Sequence, residues 1–208
     1  MKIYGHPETR SFRVYWTCHE VGIPYDFEPI KPKETRTNSE FMQLNPSGKV
    51  PALTDNGLRL FESAAICSYI CQKMNSDLLP PQGTPSRAKV EQWLFFACAE
   101  LEQPLWVSSK HQHILPEMYR TQEVESSCKY EFEHQTSVLS HLLADREFLV
   151  DDRFTLADLF VSHVLMWARA KGYMDKKNVN ITDFMKRMRE REGFKATKAL
   201  AKKVNESL

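Results

Sequence analysis

Glu62 and Ser63 stand where a short apolar run, 58–61, passes into a segment with helical periodicity. The free N–H groups at a helix N-terminus bind a carboxylate, and the helix dipole adds to the attraction. The hydroxyl of Ser63 can donate to the same carboxylate, and the charge of Glu62 suits an ammonium group. The pair therefore matches the head group of an amino acid. The alternative is that Ser63 only caps the helix.

The dipeptide Val50-Pro51 is a second pattern that suggests ligand binding. A proline entering a strand removes a donor from the hydrogen-bond ladder, and a cis bond before it turns the preceding residue outward. Val50 then offers its N–H and C=O to a peptide-like ligand that lies antiparallel to it. An ordinary proline at the start of a strand explains the dipeptide equally well.

These residues lie in a segment where strand and helix patterns alternate. Strands are predicted at 2–5, 25–30, 49–53 and 58–61, and helices at 11–21, 35–44 and 63–74, in the order β-α-β-α-β-β-α. Asn56-Gly57 between the last two strands predicts a hairpin. Residues 76–85 contain three prolines and Gly83, which is typical of a linker.

The remainder of the chain has helical periodicity. Only 7 of the 208 residues are glycine, and none lies between residues 84 and 171, which disfavours a β-rich architecture there. Pro104 predicts a kink or a break, and Thr155 with Asp158 fits a capping box at a helix start. The apolar stripes comprise Val90, Trp93, Leu94, Ala97 and Leu101, then Cys128, Phe132, Leu139 and Leu142, then Leu156, Leu159, Phe160, Val164 and Trp167.

Composition argues against several classes of protein. The 28 Lys and Arg balance the 27 Asp and Glu, so a dominant role with nucleic acid or an anionic membrane is not expected. The first ten residues lack the apolar region of a secretory signal, and no run approaches the roughly 18 residues of a membrane span. The five cysteines form no CxxC motif, which favours reduced thiols in a cytoplasmic protein. His111 and His113 lack a third ligand at recognisable spacing, so no metal site is predicted.

Three motifs, NPSGKVPAL (45–53), FESAAICSYI (61–70) and FTLADLFV (154–161), occur in this order at these separations. Together they resemble the cytosolic glutathione S-transferases, of the bacterial, theta-, beta- and nu-like type, over essentially the whole chain. The resemblance implies an α/β thioredoxin-like N-terminal domain at 1–76, a linker at 77–85 and an all-α helical bundle domain at 86–208. It also implies a cytoplasmic homodimer that acts in detoxification.

The same resemblance implies glutathione as co-substrate and no other cofactor. Val50, before a cis Pro51, would pair with the cysteinyl backbone of glutathione. Glu62 and Ser63 would hold the γ-glutamyl head group, and Lys49 would face the glycyl carboxylate. The thiolate would then attack a hydrophobic electrophile held against the helical domain.

In this family the loop after the first strand activates the glutathione sulfur, which here corresponds to residues 6–11. The loop contains no cysteine, since the first one is Cys18, so a hydroxyl is expected to act instead. Thr9 and Ser11 both qualify, and an ungapped comparison favours Thr9. Tyr4 is a weaker candidate because it lies in the strand.

One hydroxyl together with a helix N-terminus can stabilise the glutathione thiolate sufficiently. A thiol with a pKa near 8.5 must fall to about 6.5 to ionise at neutral pH, which takes about 3 kcal/mol. One hydrogen bond to a charged sulfur contributes roughly 1.5–3 kcal/mol, and a helix N-terminus about 0.5–1 kcal/mol.

Two other functions stay open at this point. The chain could be a non-catalytic binding or regulatory module that keeps the fold, or a glutathione-dependent isomerase or peroxide reductase. The isomerase branch typically has a serine-rich loop, and His6-Pro-Glu-Thr-Arg-Ser11 is not one.

Overall fold

The computed structural model describes residues 1–174 and 178–207. Strands and helices alternate in its N-terminal part, which confirms the predicted order and the thioredoxin-like α/β fold. The elements are β1 (Lys2–Gly5), α1 (Ser11–Val21), β2 (Asp26–Pro29), α2 (Ser39–Leu44), β3 (Ala52–Asp55), β4 (Leu58–Phe61) and α3 (Ser63–Lys73).

Helix α2 begins at Ser39 rather than at residue 35 as predicted. The side chain of Asn38 accepts the N–H of Phe41 at 2.9 Å and so caps the helix at this point. Thr35 lies in a turn, where its hydroxyl bonds to the carbonyl of Gly48 at 2.7 Å. Hydrogen bonds from a side chain to the backbone compete with helix formation, and here they hold the preceding residues in turns.

The chain after α3 is helical, which confirms the all-α prediction for this part. Its α-helices are α4 (Pro85–Phe95), α5 (Gln103–Ser109), α6 (Val124–Leu142), α7 (Leu156–Lys171), α8 (Val179–Glu190) and α9 (Glu192–Ser207). Two π-helical segments, Phe96–Leu101 and Lys110–Ile114, flank α5, and a 3₁₀ turn spans Glu117–Tyr119.

The four strands form one mixed sheet in the order β2-β1-β3-β4. β1 runs parallel to β2 and antiparallel to β3, and β3 runs antiparallel to β4. Tyr4 near the end of β1 lies opposite Ala52 at the start of β3, and Ala52 lies opposite Phe61 at the end of β4. The segments that follow β1, precede β3 and follow β4 therefore meet at one edge of the sheet.

The two faces of this sheet carry different helices. Tyr4 packs with Phe41 of α2, so α2 covers one face. Side chains alternate along a strand, so Ile3 points to the other face together with its register partner Phe27. Tyr15 of α1 contacts the Phe27 ring at 5.2 Å between centroids, and α3 packs beside α1 on this second face.

The described residues group into two compact units. The first comprises Met1–Leu79 together with the described residues from Arg189 onward, and the second comprises Pro80–Met188. In the first unit, Phe194 of α9 packs edge-to-face against Phe12 and Trp16 of α1, at 5.6 and 5.1 Å between centroids.

This grouping differs from the sequence-based division at one point. The division into 1–76, 77–85 and 86–208 placed the last helix in the helical domain, whereas α9 packs on α1 of the α/β unit. The apolar stripe of α9 is buried there. The three ranges themselves stay a prediction about domain boundaries.

The second unit is built around α7. Its residues from Leu156 to Leu165 are all buried, as expected for a helix surrounded by others. The predicted capping box is present at its start, where Asp158 accepts the N–H of Thr155 at 2.8 Å. The break predicted at Pro104 is also present, because a π-helical segment precedes it and Pro104 lies in the first turn of α5.

All five cysteines are free, and four of them are buried. Among the described residues, no helix has the length and apolar character needed to cross a membrane.

Candidate functional site

The loop between β1 and α1 holds Thr9 in a network of hydrogen bonds. The Thr9 hydroxyl donates to the carbonyl oxygen of His6 at 2.7 Å. It accepts the N–H of Ser11 at 3.1 Å and lies 2.9 Å from the Ser11 hydroxyl. Because the Thr9 proton is directed to His6, the Ser11 hydroxyl is the donor in that last contact. Thr9 is therefore an acceptor for two groups of Ser11.

The two candidate hydroxyls differ in accessibility. Ser11 is fully buried, and its Oγ lies 2.1 Å from where a Cβ on Gly5 would be. A side chain at position 5 would thus displace Ser11, which explains the glycine at the end of β1. Thr9 is half-buried at the surface of the loop. Of the two residues, Thr9 is therefore the more accessible, and the buried Ser11 hydroxyl lies next to its side chain.

Two other side chains, those of Tyr4 and Cys18, are poorly placed to act on a bound thiol. Tyr4 lies on the opposite face of the sheet, packed against α2. Cys18 is 1% exposed within α1, and burial raises the pKa of its thiol far above the ordinary value. A protonated, inaccessible thiol does not act as a nucleophile.

The loop before β3 presents the backbone of Val50. The Val50-Pro51 peptide bond is cis. Asn45, which is buried, holds this loop, because its amide donates to the carbonyl of Lys49 at 2.6 Å and its Oδ1 accepts the N–H of Ser47 at 3.1 Å. Within residues 1–174 and 178–207, neither the N–H nor the C=O of Val50 has a backbone hydrogen-bond partner.

Glu62 and Ser63 lie at the junction between β4 and α3, as predicted. Glu62 has a φ of 70° and a ψ of 115°, which a residue with a side chain adopts only at a cost of about 1–3 kcal/mol. Its carboxylate is exposed and makes no capping hydrogen bond to α3. Ser63 is buried in the first turn of α3. Backbone strain of this kind is often found at ligand sites.

Sequence reasoning did not identify Arg13, which the structure places behind Ser63. Arg13 is 1% exposed, and its Nη1 donates to the Ser63 hydroxyl oxygen at 3.3 Å. The Ser63 oxygen is therefore an acceptor for a cation, and its own proton is left to donate elsewhere. The available signal was a charged residue between Phe12 and Val14 in a helix with apolar residues on every side.

The sheet edge thus gathers four kinds of group. It has a half-buried hydroxyl at Thr9, the Val50 backbone groups that bond to no backbone group of the described residues, a carboxylate at Glu62 and a helix N-terminus at Ser63. This set can hold a peptide by its backbone, its carboxylate and its ammonium group, and can direct a hydroxyl at a thiol. Lys49 is exposed in the adjacent loop. In the described part of the chain, no cluster of three His, Cys, Asp or Glu is arranged to hold a metal ion.

Comparison with known proteins gives a consistent assignment. Residues 1–72 match the model of the glutathione S-transferase N-terminal domain, and residues 97–192 match that of the C-terminal domain. The chain is 28% identical over 198 residues to the glutathione S-transferase GstA of Escherichia coli O157:H7, which covers 92% of this chain and 94% of that protein. It is also 33% identical over 173 residues to human elongation factor 1-gamma, covering 79% of this chain but 38% of the longer protein.

Solved structures agree with the sequence comparison. The beta-class glutathione S-transferase of Sphingomonas chungbukensis superposes with a TM-score of 0.82 and 26% identity, over 95% of this chain and 96% of that one. The chain is therefore a member of the glutathione S-transferase family, and its relatives support a glutathione transferase function.

Proposed function

We propose that this chain is a glutathione transferase in which Thr9 stabilises the thiolate of glutathione for attack on a hydrophobic electrophile. The observation that carries the proposal is the pairing of the two loop hydroxyls. Thr9 is accessible, while the buried Ser11 donates to it. A hydroxyl that accepts hydrogen bonds is polarised and becomes a stronger donor.

Glutathione binding requires one local change in the loop. The Thr9 proton, directed to the carbonyl of His6 in the absence of ligand, rotates toward the sulfur. Both contacts from Ser11 can persist during this rotation, because they use the oxygen of Thr9 and not its proton. The thiol proton leaves to solvent. The hydroxyl and the N-terminus of α1 then stabilise the anion by about 2–4 kcal/mol together.

The rest of glutathione would be held by the sheet edge. Ser63 and the α3 N-terminus would take the γ-glutamyl carboxylate, with Arg13 behind them, and Glu62 would take the ammonium. Val50 would pair with the cysteinyl backbone, and Lys49 would face the glycyl carboxylate. In the reaction the sulfur lone pair forms a bond to the electrophilic carbon, and the leaving group departs with its bonding electrons.

Membership of the family also leads us to expect a cytoplasmic homodimer that needs no other cofactor. Analytical ultracentrifugation of the purified chain tests the dimer.

The decisive experiment measures binding and thiol ionisation separately. We expect the chain to be retained on immobilised glutathione, and ultraviolet titration to show a bound thiol pKa about 2 units below that of free glutathione. Thr9→Val keeps the shape but removes the hydroxyl, and should cancel most of this shift and lower kcat about 10- to 100-fold. Ser11→Ala should have a smaller effect of the same sign.

Thr37→Val is a matched control, since the Thr37 hydroxyl also donates to a carbonyl three residues earlier, that of Glu34 at 3.0 Å, in an exposed turn. It should leave the thiol pKa unchanged. Failure to bind glutathione would refute the proposed substrate. Unchanged activity in both Thr9→Val and Ser11→Ala would refute the catalytic assignment.

The sequence analysis also left open a non-catalytic binding or regulatory module, an alternative that the relatives named as glutathione S-transferases do not favour. Retention on glutathione with an unshifted thiol pKa would support it over the transferase.

A further inference from the structure

We propose that the last turn of α9 is a positioning element for the catalytic loop, acting through a hydrogen bond between Asn205 and Glu8. This inference rests on the proposed role of Thr9. The Nδ2 of Asn205 donates to Oε1 of Glu8 at 2.8 Å. Glu8 immediately precedes Thr9, so the contact ties the C-terminal helix to the loop that carries the activating hydroxyl.

Helix α9 is a suitable anchor because it is fixed along α1 by contacts far from the loop. Arg191 forms a bidentate ion pair with Glu20, with distances of 2.9 and 2.7 Å. Thr197 lies 2.8 Å from the Nδ1 of His19. Val204, adjacent to Asn205, is itself buried. The backbone at Asn205 is therefore held by the core of the unit.

Helices α1 and α9 run antiparallel. The start of α9 therefore lies near the end of α1, and the end of α9 lies near the start of α1. Arg191 before the start of α9 contacts Glu20 near the end of α1, and Asn205 near the end of α9 contacts Glu8 before the start of α1. This arrangement brings the last turn of α9 to the catalytic loop.

Short-range contacts hold the loop internally. The N–H of Thr9 and its hydroxyl both bond to the His6 carbonyl, at 3.0 and 2.7 Å, and the N–H of Glu8 bonds to Nδ1 of His6 at 3.3 Å. These bonds fix the internal shape of the loop. Backbone hydrogen bonds from Phe12 to Thr9 and from Arg13 to Arg10 join the loop to α1. The solvent-exposed contact with Asn205 joins it to α9, and a catalytic hydroxyl loses efficiency with displacements of about 1 Å.

The test compares four variants in the full chain. Asn205→Ala should weaken thiol ionisation and lower kcat about two- to tenfold, which is the range expected for one hydrogen bond. Asn205→Asp should be worse, because two carboxylates then face each other. Adding Glu8→Gln to Asn205→Asp lets the new amide donate to the new carboxylate, and should restore much of the loss.

Ser207→Ala is the matched control at the same helix end, because the Ser207 hydroxyl bonds only to the carbonyl of Val204 in the described structure, at 2.9 Å. It should leave kcat, thiol pKa and thermal stability as in the parent. Asn205→Ala should likewise leave thermal stability unchanged, which separates a positioning role from a general structural one.

Hydrogen exchange of loop peptides covering residues 6–11, without glutathione, gives a readout that does not depend on activity. Faster exchange in Asn205→Ala than in the parent is expected. Unchanged exchange would overturn the inference, as would a double variant as impaired as Asn205→Asp alone. Failure of the parent chain to bind glutathione would instead refute the proposed function and leave the exchange comparison to decide the inference.

Discussion

The hydroxyls of Thr9 and Ser63 share one arrangement, in which each lies next to a buried donor. Ser11 donates to Thr9, and Arg13 donates to Ser63. In each pair the hydroxyl oxygen of Thr9 or Ser63 accepts a hydrogen bond, so its own proton points elsewhere. The accepted hydrogen bond polarises the hydroxyl and makes that proton a better donor. A thiolate and a carboxylate are anions, and both therefore benefit from the same arrangement.

Arg13→Met should raise KM for glutathione about tenfold and change kcat little. The guanidinium orients Ser63 and adds positive potential at the carboxylate subsite, which contributes equally to the bound substrate and the transition state. Steady-state kinetics at varied glutathione concentration measure both constants. Because part of the effect of Arg13 passes through its hydrogen bond to Ser63, Arg13→Met should raise KM less in a Ser63→Ala background. Fully additive effects would contradict this mechanism.

Glu62→Gly and Glu62→Ala should separate backbone strain from ligand binding. Both remove the carboxylate, so both should raise KM for glutathione. Glycine tolerates the φ of 70° at this position, whereas alanine does not. Chemical denaturation should therefore show Glu62→Gly to be the more stable of the two by about 1 kcal/mol. Equal stabilities would show that the conformation is not strained.

At the scale of the elements, α1 and α9 approach each other closely around Glu20. Glu20 accepts from Trp16 at 2.8 Å as well as from Arg191. A Cβ on Gly193 would lie 2.7 Å from Oε1 of Glu20. A side chain at position 193 would therefore shift the Glu20 carboxylate, which pairs with Arg191.

Gly193→Ala tests which of two opposed effects is larger. Helix propensity alone predicts stabilisation by about 1 kcal/mol. Displacement of Glu20 from Arg191 and Trp16 predicts a loss of about 1–3 kcal/mol, and we expect the loss to dominate. Urea denaturation gives the sign. In an Arg191→Ala background, where the ion pair is already absent, Gly193→Ala should be less harmful or stabilising.

The elements of the α/β half were predictable because each has a local signal. Asn56-Gly57 marks the hairpin, and Gly22 marks the end of α1, where its φ of 68° allows the helix to terminate. The start of α2 was missed because Thr35 bonds to Gly48, a contact that sequence spacing does not reveal. The predicted apolar stripes did not include α9, and its burial against α1 depends on long-range contacts that the sequence pattern did not indicate.

The candidate residues of the site could be predicted in part from the sequence. Val50, Glu62 and Ser63 could be chosen because their chemistry depends on backbone position. The choice between Thr9 and Ser11 needed their burial, since both are short hydroxyl residues in one loop. Arg13 was missed because an arginine is ordinarily assigned to solvent, and its contact with Ser63, 50 residues later, is not visible in the sequence.

At the scale of the whole molecule, two buried carboxyl groups respond to pH in opposite directions. Asp55 in the first unit accepts hydrogen bonds from Lys73 and Tyr69. These bonds lower the pKa of Asp55, and the bond from Lys73 is the main cause. Its stabilisation is present above the pKa of the unfolded chain and is lost as the pH falls. Asp158 in the second unit is fully buried, and burial raises its pKa to about 6.

The raised pKa of Asp158 has the reverse consequence. Folding favours its protonated form, so its contribution is full below the unfolded pKa of about 3.9 and is lost as the pH rises through about 6. A proton on Oδ2 can be donated to the Thr155 hydroxyl, which lies 3.0 Å away and now donates to it. The bond therefore survives protonation with its direction reversed.

Hydrogen exchange across a pH series should resolve these two responses, after correction for the intrinsic exchange rate. Between about pH 7.5 and about pH 5, α7 should gain about 1 kcal/mol of protection, and Asp158→Asn should remove that gain while also weakening the cap. Protection of β3 should hold over this range and decline only at lower pH, where Asp55 takes up a proton, and Asp55→Asn should abolish the decline. A loss of α7 protection on acidification to pH 5 would show that the hydrogen bonds from Leu149 and Thr155 outweigh burial at Asp158.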